Sequence, residues 1–585
     1  MASINISDSN DFKDCYPLDH FYADPGTAQK RTMEVFVKLF DAKLNYYSLK
    51  GLFYTTINRY FLADIKIFEH PLILENIISF CKDNQVNEIN FKIHPLNKEV
   101  YNFYSRVLNS NGIATKGSYH ALPGYWSNSL TAEPFLTGLK DSFKRFFTVV
   151  GQFFTLLLNS AFPPRDLFPQ KKVVFWHSFA NNRQKIDHRF IEDLEQSGIT
   201  TIHPNPYLLK SKPDWNKSIY RLGKYSINPF RFLRAMSGFV FFRKNFNKIL
   251  EDFPDELPYF PKKWNSATIT KTFFFLNYNL LENGLVEQLA KDKELTVVNI
   301  FRGGAAAGLI YSGICKQKYQ SRSTTNMLVT HGTEFNVIDH FSYFYLDYNV
   351  LPSKLITQNW ENQLNTLYPG YLKYSYCKQV AGGRIDYQLL NSNVTRHVAE
   401  PGKIYVGIVL TYNSETYQDS YISDVITSFE GRYTKQRCEF IIKPRPNRVF
   451  KPGNYMADNV KINQGDIYPF LNAVDIIAGT VSTYGILTMV VTDGIYRDIP
   501  GFYYVPNPKF NSQNLGYSYH QSMEPYTFNK TSLNNFLAGF DTIEALIAGL
   551  WERNKATKDY LVFDKDANVF LKELIVKSLN MSNNA

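Results

Sequence analysis

One pattern constrains this chain more than any other. An apolar run of strand length ends in a turn rich in glycine or hydroxyl residues, and a helical stretch follows. It is clearest between Gly465 and Gly485. Asp466 to Asn472 is spaced as a short helix and Val474 to Ala478 reads as a buried strand. Gly479-Thr480-Val481-Ser482-Thr483 forms a tight turn, and a second helix begins at about Tyr484. The first N–H groups of a helix lack partners and its dipole is positive there, so such a turn suits an anion. Thr330-His331-Gly332-Thr333 and Ile442-Lys443-Pro444-Arg445-Pro446 each follow an apolar run in the same way. Three polar turns at the ends of parallel strands point to a phosphorylated ligand.

The same alternation runs through most of the chain. Lys172 to His177 reads as a strand, Ser178 to Asn182 as its loop and Asp187 to Gln196 as a helix closed by Gly198. Strands are expected at 271–276, 296–300, 326–330, 354–357 and 379–382, with helices at 281–292, 304–319 and 360–367. Asn-Ser-Asn and Glu-Pro-Gly punctuate residues 390–402 and mark a boundary. A second set of units then runs from the strand at 403–410 to helices at 542–553 and 568–579. Repeated strand–loop–helix units build doubly wound sheets.

With 585 residues the chain is too long for one core. The expected division is an N-terminal α/β module over 1–135 and an apolar helix with a Pro-rich linker over 136–170. Rossmann-like domains follow over 171–395 and 396–585. In the N-terminal module, Asn87 to Ile93 alternates as a strand and Asn97 to Leu108 has helical spacing. No role is assigned to that module, and His94-Pro95 after its strand is weak evidence by itself.

A hydrophobic content of 44% with 20% charged residues excludes a disordered chain. The net charge of +11 is unevenly placed. Residues 201–250 hold ten Lys or Arg and a single acid, Asp214, interleaved with aromatic residues such as Trp215, Tyr220 and Phe230. A basic, aromatic stretch suits an anionic membrane surface or polymer. No RRM, KH, zinc-finger or helix-turn-helix signature accompanies it, so nucleic acid is not the expected partner. The five cysteines are isolated and odd in number, which fits a reducing cytosol. The N-terminus lacks the charge and apolar core of a signal peptide. Phe146 to Pro164 is uncharged but holds Gln152, Asn159 and Ser160 and ends in Pro-Pro. It reads as a core, interdomain or interfacial helix rather than a span.

The motif set resembles one branch of the GT-B glycosyltransferases, an architecture of two Rossmann-like domains facing a cleft. His331-Gly332-Thr333, the turn Lys443-Pro444-Arg445-Pro446 and Thr480-Val481-Ser482-Thr483 are similar to motifs of the CDP-glycerol glycerophosphotransferases. They also resemble those of bacterial surface-carbohydrate transferases of capsule and lipopolysaccharide synthesis. Val174 to Phe179, followed by Asp187-His188-Arg189-Phe190, is similar to the start of the transferase domain in that second group. The resemblance covers about 170–555 and leaves the N-terminal module outside. It implies transfer of a sugar or phosphoglycerol-like unit from a nucleotide-activated donor, CMP- or CDP-linked, to a surface glycan or lipid-linked acceptor. The cysteine usage and the basic, aromatic stretch together give the expectation of a cytoplasmic enzyme, peripheral at the inner face of the membrane. No resident cofactor or metal is expected. One departure stands out: the branch commonly has Lys-Pro-His-Pro, and here Arg445 replaces the histidine. Arginine stays protonated and cannot act as a base, but it can clamp a phosphate in bidentate fashion.

Transfer of this kind needs charge stabilisation on the leaving phosphate, a base for the acceptor hydroxyl and exclusion of water. His331 is the candidate base, because an imidazole titrates near neutrality; Glu334 is its alternative. Lys443, Arg445, Gly479, Thr480, Ser482 and Thr483 are the candidate phosphate contacts. Thr411 and Ser414 follow the first strand of the second sheet and join the donor side, and Asp493 is placed to hold a ribose hydroxyl. Trp176, His177 and Ser178 are assigned to the acceptor side, with core packing as the alternative for that strand end. Arg384 joins them, with a structural ion pair to Asp386 as its other reading. Two further functions stay open: a non-hydrolysing sugar-nucleotide epimerase, and a non-enzymatic glycan-binding or assembly protein.

Overall fold

The structure, a computed structural model, describes residues 2–8, 12, 14–21, 47–49, 53–55, 66–95, 98–120, 147, 150, 151, 153, 154, 157, 171–177, 184–202, 230, 280–302, 312, 313, 315, 316, 319–329, 346–354, 356–358, 361, 377–383, 400–410, 415–444, 455–480, 489–505, 521–561 and 566–581. Three parallel sheets follow one another along the chain. The fold class is therefore the expected one, α/β with two Rossmann-like units and an N-terminal α/β extension.

The N-terminal sheet contains β1 (Ala2–Ser7), β2 (Tyr16–Pro17), β5 (Val86–Ile93) and β6 (Ala114–Tyr119) in the order β2-β1-β5-β6. A small antiparallel pair, β3 (Tyr47–Leu49) and β4 (Phe53–Thr55), lies between them in sequence. Two helices, α1 (Lys66–Asp83) and α2 (Lys98–Ser110), supply the crossovers. β5 alternates as its sequence requires, with Ile89, Phe91 and Ile93 buried. They pack with Ile73, Leu74, Ile77 and Ile78 of α1 and with Tyr104 and Leu108 of α2.

The second sheet contains β7 (Lys172–His177), β8 (Thr200–Ile202), β9 (Thr296–Arg302), β10 (Thr324–Val329), β11 (Tyr348–Leu351) and β12 (Lys378–Ala381). Its order is β12-β11-β10-β9-β7-β8, all parallel. One face is covered by α4 (Leu280–Lys291), whose Leu285, Val286 and Leu289 meet Val173, Phe175 and Val297. The other face receives α3 (Gln184–Gln196) and, from the far end of the chain, α10 (Ala567–Met581). Ala567, Leu571, Ile575 and Leu579 recur every four residues, so they form one stripe of α10 and pack on Val174, Trp176, Val298 and Ile300. Lys172 Nζ also donates to Asn580 Oδ1 at 2.7 Å.

The third sheet holds β13 (Ile404–Val409), β14 (Cys438–Lys443), β15 (Val460–Ile462), β16 (Ile476–Thr480), β17 (Gly501–Tyr504) and β18 (Thr527–Phe528). The order is β15-β14-β13-β16-β17-β18, again all parallel. Its helices come from nearby sequence: α5 (Glu415–Tyr433), α6 (Ile467–Asn472), α7 (Met489–Tyr496), α8 (Lys530–Ala538) and α9 (Ile543–Leu561). Gly407 of β13 lets α6 approach: a Cβ there would lie 2.6 Å from Phe470 Cζ.

One expected strand is corrected. Residues 354–357 are not a strand; the strand is β11, and 354 and 356–358 are helical. Ser353 explains this, because its Oγ accepts from the Ile356 amide at 3.2 Å, which is N-cap geometry. The expected strand at 271–276 and most of the basic stretch 201–250 lie outside the described residues. Among the described residues no helix is long and apolar enough to cross a membrane.

Candidate functional site

The third sheet places its crevice by topology alone. Counted in chain order its strands run 3-2-1-4-5-6, so the winding direction reverses between β13 and β16. Crossovers on either side of such a point leave on opposite faces, and open α/β sheets bind ligands beyond the carboxyl ends of the two strands there. Val409 and Leu410 end β13 there, and Thr480 ends β16.

Lys443 ends β14, one strand away. It pairs with Val409 in register, and its carbonyl accepts the Leu410 amide at 3.1 Å. Its side chain is almost fully buried. The ammonium's one described hydrogen bond goes to the Pro444 carbonyl at 3.4 Å, and no carboxylate among the described residues lies within ion-pair distance. Burial pushes the Lys443 ammonium below the usual lysine range, and the Asp466 carboxylate at the start of α6 partly opposes the shift. A cation held this way is costly until an anion joins it.

Around this end, the third sheet is braced by bonds that its sequence does not advertise. Tyr421 of α5 donates to the Ala478 carbonyl at 2.7 Å, gripping β16 two residues before its end. Tyr504, the last residue of β17, donates to Asp424 Oδ2 at 2.6 Å, and Lys530 reaches Asp424 Oδ1 at 2.7 Å. These partners are 57, 80 and 106 residues apart. Only the tyrosines at strand-end and helix positions hinted at them.

Gly479 and Thr480 are fully formed strand residues, paired with Tyr503 and Tyr504, and Thr480 is buried. Asp493 is buried within α7, the helix that follows the turn. The structure therefore brings Lys443, Gly479 and Thr480 to the carboxyl end of one sheet. Arg445, Thr411, Ser414, Ser482 and Thr483 lie outside the described residues, as do the candidate bases His331 and Glu334.

On the second sheet, Trp176 takes the core-packing alternative. It is buried under α3, with its ring 5.5 Å from that of Phe190, and it belongs to the cluster that α10 covers. His177 is the last residue of β7. Ser178 and Arg384 lie outside the described residues. Numbered in chain order this sheet runs 2-1-3-4-5-6, with its reversal between β7 and β9, so the backbone of His177 borders the corresponding crevice. Among the described residues no group of three His, Cys, Asp or Glu side chains is placed to hold a metal ion.

No protein-family model matches the sequence, and no curated protein matches it. Among solved structures the chain is similar to Acinetobacter baumannii MurG, at 11% identity over 69% of this chain and 99% of that one, with a TM-score of 0.36. It is similar to the wall teichoic acid polymerase TagF at 10% identity, over 77% of this chain and 99% of that one, with a TM-score of 0.36. For OtsA the identity is 11%, the coverage 70% and 99%, and the TM-score 0.39.

Proposed function

We propose that the chain is a GT-B type glycosyltransferase that moves a sugar, or a phosphoglycerol-like unit, from a nucleotide-activated donor to a surface glycan or lipid-linked acceptor. The observation that carries this reading is the buried Lys443 ammonium at the carboxyl end of the third sheet, beside the reversal point of a 3-2-1-4-5-6 strand order. A ligand at that end meets a cation with no ion-pair partner among the described residues, and a nucleotide diphosphate or monophosphate supplies an anion. As the bond to the donor breaks, charge grows on the leaving phosphate. In this reading Lys443 supplies charge and the Thr480 hydroxyl a dipole on that side. Arg445 adds a bidentate clamp in this reading, and His331 takes the acceptor's proton. A CMP- or CDP-linked donor is the choice the motif resemblance favours.

A peripheral position at an anionic membrane is part of the proposal. Phe147 and Phe154 are helical residues exposed by 67% and 58%. Lys140, Lys144 and Arg145 precede them. Sedimentation with anionic vesicles should fall after a double Phe147→Ser, Phe154→Ser change; unchanged sedimentation removes this part alone.

The test of the central reading is a thermal-shift panel of CMP, CDP, UDP and GDP. A ligand that binds only the folded state raises its apparent stability. One nucleotide should stabilise the protein, and Lys443→Met should abolish that shift while leaving the unliganded protein at least as stable. A panel with no shift at all, or a shift that survives Lys443→Met, rejects the assignment of this pocket.

A further inference from the structure

The N-terminal sheet has a reversal point of its own. Its chain order is 2-1-3-4, and the reversal lies between β1 and β5. Three strand ends deliver polar residues to that point. Asp8 follows β1, His94 follows β5 and His120 follows β6. Backbone bonds fix them there: the Asp8 amide donates to the Lys92 carbonyl at 3.3 Å and the His120 amide to the Ile93 carbonyl at 3.1 Å.

The Asp8 carboxylate is fully buried. Its Oδ2 accepts the His94 amide at 2.9 Å, and its Oδ1 lies 2.8 Å from His120 Nε2. With Nε2 carrying the proton toward Asp8, Nδ1 of the neutral imidazole is an acceptor. His120 is nine-tenths buried, and its Nδ1 has no hydrogen-bond partner among the described residues. The staple between three strand ends thus leaves this ring nitrogen as an uncommitted acceptor. A carboxylate that fixes the tautomer of an imidazole whose second nitrogen is uncommitted is the arrangement of a base held ready.

We propose that the carboxyl end of the N-terminal sheet is a second reaction site, in which His120 Nδ1 takes a proton from water or from a hydroxyl of a neutral ligand while Asp8 holds the ring. The surroundings favour a neutral ligand. Lys92, the cation at the end of β5, is committed to Asp14 at 3.0 Å and holds that carboxyl below its ordinary range. The Phe12 ring stands edge-on to His120, with centroids 5.0 Å apart, and offers an apolar wall. In the simplest case water attacks the carbonyl carbon of an ester. Its proton passes to Nδ1, the carbon–oxygen bond to the leaving alcohol breaks, and the proton returns to that alcohol or to solvent. This site is independent of the transferase reading, because it uses no residue beyond 120.

The test uses the full-length chain and p-nitrophenyl acetate, a neutral ester. His120→Gln and Asp8→Asn should each lower hydrolysis by about a hundredfold, the usual range for a general base. Selective 15N-histidine NMR supplies a readout that needs no turnover. The His120 signal, assigned by its loss in His120→Gln, should show the Nε2–H tautomer at pH 8 and lose that preference in Asp8→Asn. Hydrolysis unaffected by His120→Gln, or a His120 Nδ1 that carries the proton at pH 8, overturns the proposal.

Discussion

The second and third sheets are both six-stranded and wholly parallel, yet they close their cores by different routes. The third sheet takes its helices from neighbouring sequence. α5, α7 and α9 lie within or beside the strands they cover, and Asn554 of α9 bonds both backbone groups of Gly501. The second sheet borrows. Its face bearing Trp176 is finished by α10, nearly four hundred residues downstream of β7. Because α9 serves the third sheet and α10 the second, the end of the chain ties the two units together. A sheet covered by its own crossovers has a local core. A sheet covered by a remote helix makes its stability a property of the whole chain.

That contrast is breakable. The largest effect is expected from Leu571→Ala in α10, at about 2–5 kcal/mol for a buried leucine. Hydrogen exchange should show the loss in β7, β9 and β10 and leave β13 to β17 protected; equal loss in both sheets ends the distinction. Gly407→Ala should act in the opposite half. Its Cβ would meet Phe470 Cζ at 2.6 Å and Val474 Cγ1 at 3.0 Å, so about 1–3 kcal/mol of overpacking is expected. Protection should then fall in β13 and β16 only, and a neutral substitution would show that α6 is not seated on β13 as described.

An effect of similar size, on binding rather than folding, sharpens the role of the third sheet's polar end. Losing a charge-assisted contact in Lys443→Met should cost about 1.5–3 kcal/mol of nucleotide binding by calorimetry. The smallest expected effect is on pH dependence. The folded-state value of Lys443 lies below the ordinary 10.5. Between those two values the unfolded chain holds the proton and the folded chain does not, so this group makes stability rise with pH across that window. Nucleotide binding should weaken over the same window as the cation is lost. Denaturant titrations should give the wild type and Lys443→Met different pH slopes of stability only there, and identical slopes would remove the buried cation from the account.

Much of the third sheet was legible in advance. Val474 to Ala478 was read as a strand, observed as β16 at Ile476–Thr480, and the short helix before it was placed within a residue of α6. Both follow from local apolar spacing, as did the recognition of 568–579 as a helix. What could not be read was where that last helix packs. Its four-residue stripe states that one face is buried, not against which sheet. The same limit hid Tyr504 beside Asp424, and Asp8 beside His120. His94 drew notice in the sequence, but the residue that pairs with Asp8 is His120, 112 positions along the chain.

Periodicity, caps and turn residues act over one to four positions, and they fixed the alternation of strand and helix, the parallel sheets and the polar strand ends. Strand order, the return of α10 to β7 and the carboxylate–imidazole pair depend on which apolar faces find each other across the chain. Such pairings are decided by burial and shape at long range, so only the folded structure could choose among them.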